Sequence, residues 1–189
     1  MSTSYPTALD SYSVKVDSVD DVLASHINNV QDAIVALETF LGAGGVAISQ
    51  GVRVYNSAAL AIGNAAWTTL TFDSETYDLN GMHSTSSNTG RLTAQRAGKY
   101  LIFGSIQFAG SAGGALRGVR ILQNGATSLG LDLRAPNGAS SVNFAIAVVY
   151  ALAASDYVEL QVYQDSGGNL NVDRAASYSP EFGMQQVGF

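Results

Sequence analysis

The chain has 189 residues, of which 47% are hydrophobic and 13% charged, and it contains no cysteine. A formal net charge of −6 disfavours binding to nucleic acid phosphates, and the absence of cysteine excludes disulfides, thiol nucleophiles and thiolate metal sites. No apolar run approaches the roughly 20 residues that cross a bilayer, and the N-terminus lacks the features of a signal peptide. We therefore expect assembly in the cytosol, with no nucleic acid partner and no membrane insertion.

Residues 1–17 are predicted to form an extended arm. Pro6 disfavours a helix at the residue before it. The segment carries five large apolar side chains, namely Tyr5, Leu9, Tyr12, Val14 and Val16. This is too apolar for a free tail and too short to fold alone. One interpretation is an arm laid on a neighbouring subunit, and the other is a partly ordered terminus.

Residues 18–42 are predicted to form one helix with a coiled-coil seam. Its large apolar residues recur at steps of 4, 3, 4, 3 and 4, which is the spacing of a heptad repeat. The seam consists of Leu23, Ile27, Val30, Ile34, Leu37 and Leu41. Gly42 is well placed to end the helix, and residues 43–45 form a glycine-rich linker. The seam predicts oligomerisation or anchoring to a larger assembly; the alternative is a helix folded back on the following domain.

Residues 46–189 have the pattern of an antiparallel β-sandwich or barrel. Short runs rich in Val, Ile, Tyr, Phe and Thr alternate with clusters of Gly, Asn, Asp and Ser. The expected strands are Gly51–Tyr55, Ala66–Phe72, Gly90–Gln95, Lys99–Phe108, Leu116–Gln123, Thr127–Leu133, Ser140–Leu152, Tyr157–Gln164, Leu170–Arg174 and Glu181–Val187. Asn124-Gly125 between two of them is the strongest hairpin signal in the chain.

Residues 157–163 alternate cleanly between apolar and other side chains. The alternation directs Val158, Leu160 and Val162 towards a core. The opposite face carries Tyr157, Glu159, Gln161 and Tyr163. Tyrosine is enriched at subunit interfaces, so Tyr157, Gln161 and Tyr163 are candidates for a contact between copies of the chain; ordinary solvent-facing surface is the alternative.

Several motifs in residues 50–189 occur in an order that resembles a known family. They are Trp67–Phe72, Thr89–Ala94, Ala97–Phe103, Val119–Gly125, Ala154–Leu160 and Tyr178–Met184. This part of the chain resembles the globular head of complement component one, subcomponent q, a tumour-necrosis-factor-like jelly roll. Leu92 replaces the usual phenylalanine, Ser155 replaces a glycine, and Phe182-Gly183 lacks a spacer. The resemblance implies a mainly β jelly-roll head that forms a homotrimer.

The N-terminal segment resembles the start of many bacteriophage tail-fibre and head-fibre proteins. The matching residues are Ala24, Ser25, His26, Ile27, Asn28, Gln31, Asp32, Ala33, Ile34, Ala36, Leu37, Glu38, Leu41 and Gly42. In such proteins a short arm and a helix precede a receptor-binding or decorating head. The resemblance implies a virion protein whose arm and helix attach to other virion proteins and whose head projects as a fibre, decoration or host-attachment tip. A soluble bacterial trimeric module that binds carbohydrate or protein, outside any virion, is the alternative.

The sequence offers little catalytic chemistry. His26 falls in the predicted helix and His83 in a turn-rich loop, and no nucleophile motif accompanies either. Asp73, Glu75 and Asp78 lie close together in the sequence, where a pair of glycosidase carboxylates is conceivable, but ordinary solvated turn carboxylates are the preferred explanation. We expect no enzyme activity and no cofactor.

Binding candidates are confined to one strand and three loops. Asn169, Asn171 and Asp173 alternate and make a weak calcium candidate, because the resembled family sometimes binds calcium near its trimer apex; polar alternation explains them without a metal. Trp67, the only tryptophan, is predicted to be a core or interface anchor rather than a sugar-stacking platform. The candidate binding loops are marked by Ser111, Asn137, Asp165 and Asn169.

Overall fold

The structure is a computed structural model that describes residues 30–36, 50–175 and 178–188. The chain divides into two compact units, Met1–Ile48 and Ser49–Phe189. In the first unit, residues 30–36 form a helix, α1, inside the span predicted to be helical. Of the predicted seam, Val30 and Ile34 are described and are 52% and 50% exposed. The other seam residues, the arm, His26 and the linker lie outside the described residues.

The second unit is built from strands. Those described are β1 (Gly51–Tyr55), β2 (Leu60–Ile62), β3 (Thr68–Thr69), β4 (Ser74–Asp78), β5 (Arg91–Thr93), β6 (Gly98–Phe108), β7 (Arg117–Gln123), β8 (Thr127–Arg134), β9 (Val142–Leu152), β10 (Tyr157–Gln164), β11 (Leu170–Val172) and β12 (Glu181–Gly188). All the predicted strands are present, although some are shorter than expected. The sequence pattern missed β2 and β4 because β2 has only three residues and β4 is mostly polar.

The strands form two antiparallel sheets. In the first sheet, β6 pairs with β9 on one side and with β12 on the other, and the sheet continues through β1 to β4. Near the end of β6 the strands β11 and β2 extend the same sheet. The second sheet has the order β3-β10-β7-β8, with β5 also paired to β10. Sheet neighbours are mostly distant in sequence, as in a jelly roll, and this confirms the predicted fold class.

The core lies between the two sheets. Alternate residues of β6, including Tyr100 and Ile102, face inward and are fully buried. From the opposite sheet Val158, Leu160 and Val162 are also fully buried, which confirms the predicted inward face of β10. A Cβ on Gly104 would lie 2.8 Å from Leu160 Cδ1, so the glycine leaves room for this leucine.

The hairpin between β7 and β8 turns at Asn124-Gly125, as predicted. Asn124 and Gly125 have φ values of 50° and 69°, and the Ala126 amide donates to the Gln123 carbonyl at 3.0 Å. Two left-handed residues inside a hydrogen-bonded turn define the type I′ geometry that matches strand twist. Asp156, at the turn before β10, accepts from the Asn124 side chain at 2.8 Å. This hydrogen bond therefore connects the turn between β7 and β8 with the turn that precedes β10.

Candidate functional site

The outward surface of the first sheet carries a row of apolar side chains, here called the first-sheet face. Because Tyr100 and Ile102 point inward, Leu101 and Phe103 point outward. The register pairs Leu101 with Val149 and Phe103 with Ala147 on the edge strand β9. Val149 is 62% exposed. The first-sheet face therefore presents adjoining large and small apolar groups to solvent.

A glycine on β12 leaves room for one of these apolar side chains. Gly183 on β12 pairs with Phe103, and a Cβ at Gly183 would lie 2.5 Å from Phe103 Cζ. The phenyl ring therefore lies directly over the glycine. Beside it, Arg53 Nε donates to Glu181 Oε2 at 3.0 Å, and the Glu181 side chain is only 9% exposed. This ion pair thus adjoins the apolar row, and on the same strand Gln185 stands opposite Leu101.

The outward surface of the second sheet, here called the second-sheet face, holds the predicted interface candidates Tyr157, Gln161 and Tyr163. The Arg91 guanidinium lies 4.1 Å from the centre of the Tyr157 ring and pairs with Glu159 at 3.1 Å. Arg120 Nε donates to Gln161 Oε1 at 2.9 Å. These side chains are half-buried and engaged within their own sheet, and their contact with another copy stays a prediction.

Trp67 also lies on the second-sheet face and is not part of the core. The Arg120 guanidinium lies 4.2 Å from the centre of the indole ring, and the Tyr163 ring centre lies 5.6 Å from it. A Cβ on Gly118 would approach the indole Cη2 to 3.1 Å and Leu133 Cδ2 to 2.5 Å. The sequence predicted that Trp67 anchors either the core or an interface. The core position is wrong, because Trp67 lies on an outer surface, and the interface position stays a prediction.

At one end of the sandwich, two of the predicted binding loops are joined by Arg117. Its guanidinium is buried and donates to the carbonyls of Gly113 at 2.8 Å and Ser111 at 3.3 Å. It also lies 3.4 Å from Asp165, whose Oδ1 accepts the amide of Leu116 at 2.9 Å. Ser111 and Asp165 are therefore brought together, and Asp165 has a structural role. The sequence analysis did not single out Arg117; the only signal for its role was its position at the start of the predicted strand.

The other two loop candidates are less constrained. The Asn137 carbonyl accepts from the Ser140 amide at 3.1 Å, and the Ala139 carbonyl packs directly against Gly110, so this loop adjoins the loop that holds Ser111. Asn169 is exposed just before β11. These loops form a surface of small polar side chains whose binding role stays a prediction.

The three clustered carboxylates have separate structural roles. The hydrogen bond from the Ser57 hydroxyl, ahead of smaller effects, holds the pKa of Asp73 below its ordinary value. Glu75 contacts the buried His83 at Nδ1 at 2.8 Å. Asp78 accepts the amides of Met82 at 2.9 Å and His83 at 3.0 Å. A glycosidase acid needs a raised pKa, whereas the pKa of Asp73 is lowered.

The calcium candidates lie along one strand rather than around a point. Asn171 is on the exposed side of β11, with Asn169 before the strand and Asp173 after it. At about 3.3 Å per residue, Asn169 and Asp173 are separated by roughly 13 Å. In the described part of the chain, no group of three or more His, Cys, Asp or Glu side chains is arranged to hold a metal ion. Calcium binding stays a prediction.

Among residues 30–36, 50–175 and 178–188, no helix is long and apolar enough to cross a membrane.

Comparison with solved structures places the second unit in a known fold. Murine APRIL at pH 5.0 matches with a TM-score of 0.57 and 10% identity over 74% of this chain and 99% of that chain. Eiger TNF from S. frugiperda matches with a TM-score of 0.55 and 12% identity, covering 74% of this chain and 93% of its own. The globular domain of zebrafish complement 1qA protein gives 0.50 and 15%, covering 74% and 95%.

These matches confirm the jelly roll of the tumour-necrosis-factor and complement 1q type that the sequence motifs predicted. At such low identity they show the fold alone. No family model matches the chain, and no curated protein matches it.

Proposed function

We propose that the protein is a homotrimeric structural protein of a bacteriophage particle, a fibre or decoration protein whose jelly-roll heads project outward and contribute to host attachment. The observation that carries the trimer is the apolar row of the first-sheet face, in which Leu101 and Phe103 are partly exposed and Val149 is 62% exposed. The virion role is supported by the resemblance of residues 5–42 to the start of phage fibre proteins.

The trimer contact is best placed on the first-sheet face. Leu101, Phe103, Ala147 and Val149 are adjacent there, and burying apolar area contributes about 25 cal/mol per Å². On the second-sheet face, by contrast, Tyr157 and its neighbours are already bonded within one copy. We therefore choose the first-sheet face over Tyr157, Gln161 and Tyr163 as the contact between copies.

The helix supplies a second contact in this proposal. Val30 and Ile34 are about half exposed in the single chain, so α1 has apolar surface available for copies of itself or for another virion protein. Three heads on one particle-bound stem would attach by multivalency, since linked weak sites bind together more strongly than each alone.

The virion role is tested on purified phage particles whose genome encodes this chain. We expect mass spectrometry of the particles to find the protein in copy numbers that are a multiple of three, and antibody against the head to label intact particles. Free trimers in the lysate together with protein-free particles would contradict the virion role. They would favour the soluble trimeric binding module instead.

A further inference from the structure

An exposed apolar patch lies on the second-sheet face, on the opposite side of the sandwich from the proposed trimer contact. It contains Leu131 and Leu133, which are 55% and 45% exposed. The register places Leu133 beside Gly118 and Leu131 beside Arg120. Since Gly118 has no side chain, Leu133 and Trp67 meet above it and make the patch continuous. We call these two leucines with Trp67 and Arg120 the leucine patch.

Arg120 in this patch is held in place but has no counter-charge. Its Nε and Nη2 both donate to the neutral Gln161 Oε1, at 2.9 and 2.6 Å, and Trp67 supports the guanidinium at 4.2 Å. Within the described residues, no carboxylate lies at ion-pair distance from Arg120, whereas Arg91 pairs with Glu159 on the same face. The remaining N–H donors of Arg120, including those on Nη1, are therefore available to an incoming anionic group.

The geometry points to the leucine patch as a docking surface for a protein segment that presents a carboxylate next to large aliphatic side chains. Tryptophan, tyrosine and arginine are the residues that dominate binding energy at protein interfaces, and contiguous exposed apolar surface marks such sites. The uncompensated guanidinium supplies the charge complementarity, because carboxylates bind arginine through short charge-assisted hydrogen bonds. The inference rests on the proposed function in one respect: a trimer contact on the first-sheet face leaves the second-sheet face free to bind a partner. It adds the chemistry of the protein segment that the head would bind.

Trp67 provides a direct assay because it is the only tryptophan in the chain. The full-length protein is titrated with the peptide acetyl-Leu-Glu-Leu-amide while indole fluorescence is followed. The glutamine peptide acetyl-Leu-Gln-Leu-amide is the matched neutral probe. We expect the acidic peptide to change the fluorescence with saturation and to bind about tenfold or more tightly than the neutral one, as a charge-assisted hydrogen bond implies.

Three variants identify the contacts. Arg120→Met is expected to reduce affinity for the acidic peptide about tenfold or more, and Leu131→Asn to reduce affinity for both peptides. Arg96→Met is the matched control, because Arg96 is exposed in the turn between β5 and β6 and its backbone bonds to Gln50 and Tyr100, which are outside the patch. It is expected to leave binding unchanged. Native mass and thermal unfolding establish that each variant is folded.

Several results would overturn the inference. They are an absent fluorescence response, equal affinity for the two peptides, and undiminished binding by folded Arg120→Met. Acetate binding as tightly as the peptide would reduce the patch to a simple anion site, and tighter binding of glucuronate would assign it to acidic saccharides. Since the titration uses the isolated protein, its result is independent of whether the chain is found in phage particles.

Discussion

Replacing the buried Arg117 with methionine should destabilise the head far more than the same replacement at its cross-strand neighbour Arg134. The Arg117 side chain is 1% exposed and its partner Asp165 is 24% exposed. Breaking a buried ion pair by removing one partner costs about 3–5 kcal/mol, and the partial exposure of Asp165 favours about 3. The variant also removes the donors that bind the Gly113 and Ser111 carbonyls.

Arg134→Met is the matched control. Arg134 pairs with Arg117 in the register of β7 and β8, but its side chain is 49% exposed and its ion-pair partner Asp132 is 27% exposed. It also makes an exposed hydrogen bond to the Asn143 carbonyl at 3.0 Å and lies 4.8 Å from the centre of the Phe144 ring, an apolar contact that methionine can keep. Exposed pairs contribute about 0–1 kcal/mol. For a domain of this size, 1 kcal/mol shifts the unfolding midpoint by roughly 2–4 °C. We therefore expect a loss of roughly 6–12 °C for Arg117→Met and under about 4 °C for Arg134→Met.

Thermal unfolding followed by circular dichroism measures both shifts, at one fixed protein concentration because oligomer stability depends on concentration. Equal shifts for the two variants would refute the reasoning that Arg117 joins the loops from a buried position. So would an Arg117→Met variant that unfolds within about 2 °C of the parent protein.

Two further predictions concern the first-sheet face and one turn. Gly183→Val should destabilise the head by about 1–3 kcal/mol in urea unfolding, because a Cβ at this position would lie 2.5 Å from Phe103 Cζ. Adding Phe103→Leu to this variant should recover part of the lost stability. An unchanged stability of Gly183→Val would show that the ring is not held over the glycine. Hydrogen bonds, first from the Asn124 side chain, hold the pKa of Asp156 below its ordinary 3.8. Its stabilisation is present above about pH 4 and is lost as the pH falls through the lowered pKa, so Asp156→Asn should flatten the fall in stability below about pH 4. Parallel pH profiles for the two proteins would contradict that role.

Local patterns predicted most of the sheet framework. The alternation over residues 157–163 predicted which side chains enter the core, because strand side chains point to opposite faces in turn. Asn124-Gly125 predicted its turn because both positions need φ above zero. The polar strand β4 was missed because its pairing with β1, not its own composition, makes it a strand.

The surfaces were harder to predict because distant residues build them. Arg117 and Asp165 are 48 residues apart, and Arg120 and Gln161 are 41 apart. The tyrosines of β10 suggested an interface between copies. Their contacts within one copy are with residues distant in the sequence, so the local pattern could not predict them. One signal was available for the first-sheet face: in β6 both alternating sets are apolar over Tyr100–Phe103, which is typical of a strand covered on both sides.

The native mass of the full-length protein tests the central claim most directly. Light scattering should give about 59 kDa, three times the 19.6 kDa of one chain. Val149→Asp, on the first-sheet face, should lower that mass, whereas Leu131→Asp, on the second-sheet face, should leave it unchanged. A parent protein of 19.6 kDa would contradict the trimer, and dissociation by Leu131→Asp with an intact Val149→Asp trimer would move the contact to the second-sheet face.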